Sequence, residues 1–317
     1  MRSGIASYRH RWMPVAFVLL ALLLGGCATP GRELLQSSTR LPPRAELSAT
    51  PFYPQERYQC GPAALAMSLA TAGIEATPDA LKPQVYVPQR EGSLQPEMLA
   101  AGRRNGAVTM TIPPTLDALL TELSAGNPVL VLQNLSLPWM PLWHYAVAIG
   151  YDLDLDEIIL RSGVTERLTM PLSTFDRTWA RSNRWGMVTL APGKLPVTAG
   201  EHAAVDALVA FEKGGEAGRA RKAYASALQR WPHNLTLRMG LGNTAYAAGD
   251  RKAAAEAFRQ AAQEHPDNAP AFINLATVLH ELGDVKQARE AAKQAVALGG
   301  PWRDAAAATL QAIEQRK

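Results

Sequence analysis

Two side chains carry most of the chemical interest of this 317-residue chain. Cys60 lies in Pro54-Gln55-Glu56-Arg57-Tyr58-Gln59-Cys60-Gly61-Pro62-Ala63-Ala64, where the Gly-Pro step followed by small apolar residues predicts the start of a helix. A cysteine at a helix mouth meets unpaired backbone N–H groups and the positive end of the helix dipole. That setting lowers a thiol pKa and raises the thiolate, which is the nucleophile. The same position suits a capping cysteine packed as a small hydrophobe, and the local pattern does not choose between them. A thiolate nucleophile wants an imidazole beside it, to pair with it and later protonate a leaving amine. Of six histidines, His10 lies in the N-terminal apolar segment, and His202, His233, His265 and His280 lie in a C-terminal repetitive region. His144 remains, in Trp143-His144-Tyr145-Ala146-Val147-Ala148-Ile149-Gly150-Tyr151 near the start of a predicted strand, where a histidine is also at home as a satisfied core residue.

The elements that must position this pair are readable in outline. Helices are expected over 63–72, stopped by Gly73, over 96–104, stopped by Asn105-Gly106, and over 116–124, stopped by Gly126. Strands are expected at 128–132, 143–151, 157–160 and 186–190. Helices first and a mostly antiparallel sheet second make an α+β domain over 51–192. A Pro- and Gly-bearing linker at 193–200 leads into residues 201–317, where a 34-residue period runs. Gly215, Gly249 and Gly283 keep that step, as do Ala220, Ala254 and Ala288, and Ala227, Ala261 and Ala295; Tyr224 and Phe258 form a further column. Small residues let paired helices approach, and the large one fills the groove between them. The period and its columns resemble the tetratricopeptide repeat, with units at 201–234, 235–268 and 269–302 and a capping helix at 303–317.

The order Gln-x-x-x-x-Cys-Gly, helix, Gly-x-Pro-Val-x-Val strand, then His-Tyr-x-Val-x-x-Gly-Tyr resembles the papain-like peptidases that process bacteriocin leaders after a double glycine, and more closely their stand-alone relatives. Thr77-Pro78-Asp79-Ala80-Leu81 and Leu116-Asp117-Ala118-Leu119-Leu120 fit the helical middle of that family. The resemblance implies Cys60 as nucleophile, His144 as general base, and Gln55 as the oxyanion-hole donor, one residue nearer the cysteine than is usual. Gln59 is a second candidate for that donor. The family's third residue is an aspartate in Asp-Pro on the strand after the histidine; here Ser162 stands near that position. Asp152, Asp154 and Asp156 read as a hairpin turn and its rim. The expected fold is thus an α+β papain-like cysteine peptidase domain followed by an all-α tetratricopeptide-repeat solenoid.

The first 26 residues hold Arg2, Arg9 and Arg11, no acid, and an apolar run from Trp12 to Leu24 that is short for a membrane span. Leu24-Gly25-Gly26-Cys27 resembles the lipobox of bacterial lipoproteins, implying a signal peptide over 1–26, a lipid on Cys27 and a tether over 27–50. Ala28 in the next position implies, by that resemblance, an outer-membrane lipoprotein facing the periplasm. The formal charge of +4 falls to +1 without the signal, with 29 Lys+Arg against 28 Asp+Glu, so nucleic acid is not an expected partner. Lipidation of Cys27 would leave Cys60 without an intrachain disulfide partner. No His/Cys cluster has metal-ligand spacing and no Gly-rich phosphate loop is present, so no cofactor or metal is expected. Trp139, Trp143, Trp179 and Trp185 read as aromatic core, with a peptide groove as the alternative. The resulting expectation is an envelope-anchored cysteine peptidase whose repeats recruit a polypeptide substrate or protein partner. The alternative is a peptidase-like, non-catalytic adaptor; a cell-wall amidase using the same Cys–His chemistry is a third reading.

Overall fold

The computed structural model describes residues 41–54, 59–215 and 217–315. Strand β1 (Arg44–Glu46) is followed by α1 (Cys60–Thr71), α2 (Pro78–Val85), the short strands β2 (Tyr86–Val87) and β3 (Gly92–Ser93), α3 (Gln95–Arg104), β4 (Val108–Thr111) and α4 (Leu116–Ser124). Then come β5 (Val129–Asn134), β6 (Trp143–Asp152), β7 (Glu157–Ser162), β8 (Thr165–Pro171), α5 (Leu172–Ala180) and β9 (Gly186–Leu190). The large sheet runs β4-β9-β5-β6-β7-β8 with every pair antiparallel, and β1 joins the far end of β6. β5 reads Val-Leu-Val-Leu-Gln-Asn and is buried along its whole length, which is why it shows no polar alternation.

Helix α1 is almost wholly apolar and its residues from Gly61 to Leu69 are buried. It packs with Leu130, Leu132, Tyr145, Val147, Ile149, Ile159 and Met187 in one core cluster. A helix apolar on all sides can only be central, and this one ties its N-terminal residue, Cys60, to the most constrained part of the domain.

The expected tether over 27–50 is shorter than the sequence suggests. Residues 44–46 pair with Gly150–Asp152, and Leu153 N–H donates to Pro43 O at 2.8 Å. A glycine at 150 permits this, since a Cβ there would lie 2.9 Å from Glu46 Cα and closer still to Ala45 O. The buried Arg161 guanidinium then clamps the following residues, donating to Ser48 O at 3.0 Å and to Thr50 O at 2.9 Å. No apolar periodicity marks these three strand residues, so sequence patterning passed over them.

From Glu201 onwards the chain is helical: α6 (Glu201–Glu212), α7 (Ala217–Arg230), α8 (Leu235–Ala247), α9 (Arg251–Glu264), α10 (Ala269–Glu281), α11 (Val285–Leu298) and α12 (Arg303–Gln315). Asn234, Asp250, Asn268 and Asp284 each accept from the backbone N–H three residues on, capping α8 to α11. The alanine columns at 220, 254 and 288 and at 227, 261 and 295 are all buried, as are Tyr224 and Phe258. Tyr224 lies against Gly240, where a Cβ would come within 2.7 Å of its ring. The segment joining sheet and repeats is held rather than loose: the buried Glu122 carboxylate accepts from Thr198 N–H at 2.7 Å and Thr198 Oγ1 at 2.6 Å. Arg230 adds a bond to Pro196 O at 2.6 Å.

Candidate active site

Cys60 is the first residue of α1, preceded by Gln59 as the N-cap. The thiol is half-buried, and its polar surroundings are the backbone N–H groups of Tyr145, Gly61 and Cys60 itself. Burial pushes the thiol pKa up, and these three N–H groups pull it back only in part. Gly61 is required beside it, because a Cβ would lie 2.6 Å from Ser93 Cβ and closer to the Ser93 hydroxyl. Ser93 is in turn fixed by Tyr145, whose phenol donates to Ser93 O at 3.1 Å. Burial, and then the nearby thiolate charge, raise the Tyr145 phenol well above its ordinary range, so it remains a donor. Trp185 meets the Tyr145 ring edge-on at 5.9 Å and closes that side.

His144 is the second residue of β6, and the chain brings it to Ser162 by register. Val147 faces Arg161 across the β6–β7 pair, so Ala146 falls opposite Ser162 and His144 is its diagonal neighbour on the same face. His144 Nε2 and Ser162 Oγ lie 2.9 Å apart. Burial lowers the imidazole pKa. The ring's hydrogen bond goes to Ser162 rather than to the thiol, while the N–H of Tyr145, the residue after His144, faces the sulfur.

The electrostatics differ from the expectation of a lowered thiol pKa. A thiolate–imidazolium pair needs a low thiol and a high imidazole pKa, and burial moves each the other way. Ser162 supplies a dipole where a carboxylate would supply a charge. Both shifts favour the neutral thiol and the neutral imidazole. The three aspartates of the following turn do not enter the site: Asp152 Oδ1 accepts from Asp154 N–H at 3.0 Å and Leu155 N–H at 3.1 Å, which is a turn-forming arrangement.

Gln55 and Cys27 lie outside the described residues. Trp179 is fully buried with its indole N–H on Trp185 O at 2.8 Å, as expected for core. Trp139 and Trp143 are not core: they are 79% and 49% exposed, on the hairpin between β5 and β6. Tyr145 and Ser93 were missed by residue chemistry; the signal for Tyr145 was its place next to His144, and Ser93 offered none. Among the described residues no cluster of three or more His, Cys, Asp or Glu is arranged to hold a metal. A cleft of about 600 Å³ between α3 and α6, lined by Arg103, Arg104, Asp206 and Lys213, holds none of these site residues.

Residues 47–187 match the Peptidase_C39 like family, and residues 205–269 and 245–313 match Tetratricopeptide repeat families. No curated protein sequence matches the chain. Among solved structures, a C39-like peptidase from Bacillus anthracis is similar at 18% identity, with a TM-score of 0.40, over 46% of this chain and 97% of that one. The Yersinia enterocolitica type III secretion translocator chaperone SycD is similar at 17% identity, with a TM-score of 0.34, over 36% of this chain and 82% of that one. The Sgt2 tetratricopeptide domain of Aspergillus fumigatus is similar at 23% identity, with a TM-score of 0.34, over 37% and 78%. The protein is built from an N-terminal C39-like peptidase domain, a sheet with its helices, followed by helical tetratricopeptide repeats.

Proposed function

We propose that this protein is an envelope-anchored cysteine peptidase in which Cys60 is the nucleophile, His144 the general base and Ser162 the residue that positions the ring. The observation that carries the reading is the 2.9 Å bond between His144 Nε2 and Ser162 Oγ, beside a cysteine at the head of a buried helix. With Nε2 engaged by Ser162, Nδ1 is the ring nitrogen that takes the thiol proton. Because both shifts favour the neutral groups, that transfer accompanies attack of sulfur on the scissile carbonyl instead of preceding it. The carbonyl oxygen becomes an oxyanion, met by the Cys60 N–H at the helix N-terminus and by the side chain of Gln55 or Gln59. The Nδ1 proton then passes to the departing amine as the C–N bond breaks, leaving an acyl-Cys60. Water, deprotonated at Nδ1, hydrolyses the thioester and returns the thiol. The lipid on Cys27 is the anchor, in the outer membrane facing the periplasm, and leader processing is the narrower form of the same reading. Repeats of this kind mediate protein–protein interaction, and here they bring the polypeptide substrate or a protein partner to the domain.

A second reading, a peptide-binding adaptor with weak or no catalysis, draws support from the same burial shifts and from the missing carboxylate. Incubating wild type and Cys60→Ala with a complex mixture of peptides, and sequencing new termini, separates the two. Termini that depend on Cys60 support the peptidase; identical patterns leave the adaptor.

A further inference from the structure

The hairpin joining β5 and β6 exposes Leu135, Leu137, Trp139, Met140, Leu142 and Trp143, each at 43% or more. Residues 135–143 contain no charged side chain. An exposed apolar element of this kind marks an interaction site. Part of its backbone is hydrogen-bonded within the hairpin itself. Leu135 N–H donates to Leu142 O at 2.9 Å and Met140 N–H to Leu137 O at 3.1 Å, while Pro138 and Pro141 have no N–H to satisfy. At the root, Asn134 is buried and its Oδ1 accepts from Ser136 N–H at 3.0 Å and Leu142 N–H at 2.9 Å. Arg181 donates to Asn134 O at 3.0 Å and to Ser136 O at 2.8 Å.

We infer that this hairpin dips its tip into a lipid bilayer, with Trp139 and Met140 at the deep end and Trp143 near the headgroup level. The occupant is lipid because the apolar side chains run along both arms and over the tip of the hairpin, whereas a protein-docking patch needs one face only. Tryptophan and leucine on an uncharged loop are the residues that partition into the interface. The exposed Arg181 at the root matches anionic headgroups. The inference rests on the envelope-anchored reading above: fourteen residues separate Cys27 from Pro42, an extended reach of about 50 Å, so a lipidated chain can bring the tip to the surface. Since Trp143 directly precedes His144, docking holds the candidate site at the membrane face.

The test uses the full chain in vesicles of phosphatidylethanolamine and phosphatidylglycerol, with and without bromine on the acyl chains, which quenches tryptophans in the hydrocarbon. The expected result is quenched emission in the wild type and loss of the larger part of it in Trp139→Phe, a change that keeps the side chain apolar at a fully outward position. Equal quenching in the two proteins, or none in either, overturns the inference, and none in either points to a polypeptide on the hairpin instead. Cys27→Ser, read by vesicle flotation, tests the anchor separately. With Leu137 and Leu142 both replaced by Ser, a chain that floats equally well with and without Cys27 refutes the anchor, while the Trp139 comparison still decides the hairpin. In the Cys27→Ser background, replacing Leu137 and Leu142 by Ser should cut vesicle partitioning by at least about tenfold; unchanged partitioning counts against the hairpin.

Discussion

Replacing Ser162 by Asp tests the relation between the ring and its partner. Ser162 Oγ lies 2.9 Å from His144 Nε2, at the end of β7 and before Gly163, which has a φ of +58°. A carboxylate at that place faces the imidazole within about 4 Å, where an opposite charge raises a histidine pKa by about 1–3 units. The site is partly open to solvent, so the lower end applies, about one unit. Conversion of the neutral thiol–imidazole pair to thiolate–imidazolium grows tenfold for each unit the imidazole gains, as long as the ion pair is the minor form. Alkylation of Cys60 by iodoacetamide at pH 7, followed by mass spectrometry of its peptide, should therefore be about tenfold faster in Ser162→Asp than in wild type. Ser162→Ala, which loses one hydrogen bond worth about 1 kcal/mol, should be slower than wild type. The reasoning is refuted if Ser162→Asp reacts at the wild-type rate, or if its gain persists when His144 is also replaced by Ala.

Further expectations concern the frame. Arg161→Leu leaves the carbonyls of Ser48, Thr50 and Glu166 without their donor and should cost about 3 kcal/mol or more, seen as a lower midpoint in urea unfolding. Gly61→Ala should lower the melting temperature through its clash with Ser93, by an amount corresponding to about 1–3 kcal/mol, and Ser93→Gly should restore most of it. Burial holds the folded-state pKa of His144 below its unfolded value, so the unfolded chain takes the proton first. Stability from this group is present above about pH 6.5 and lost as pH falls through the folded value. His144→Gln should remove that part of the acid sensitivity in denaturant titrations between pH 7 and 5.

The repeats were legible because columns of small residues keep one register over three units, and the two alanine columns with Tyr224 and Phe258 face inward. Helix α1 and strands β5, β6, β7 and β9 were legible as long apolar runs. Helix α2 was not delineated, since Pro83 within it breaks the usual pattern. Strand β4 is four residues long and reads Val-Thr-Met-Thr, and β8 is polar and ends in Pro171, so neither carries a strong signal. In the candidate site, elimination and setting singled out Cys60 and His144 as candidates, and only the family resemblance gave them roles. Ser162 as the ring's partner followed only from its approximate place in the family pattern; its contact depends on cross-strand register, which a sequence does not display. The reversal of the thiol's expected shift has the same origin. Helix-end N–H groups are visible in sequence, but the burial that outweighs them is a tertiary property.

The most direct test of the account is the pH profile of Cys60 alkylation in wild type and His144→Ala. If His144 takes the thiol proton, wild type retains reactivity near neutral pH that the variant lacks, a difference of about a hundredfold for a positioned general base. The variant should then react only as a lone buried thiol, with its midpoint above the ordinary thiol range. Superimposable profiles would contradict the pairing of Cys60 with His144 and leave the domain a peptidase fold without its chemistry.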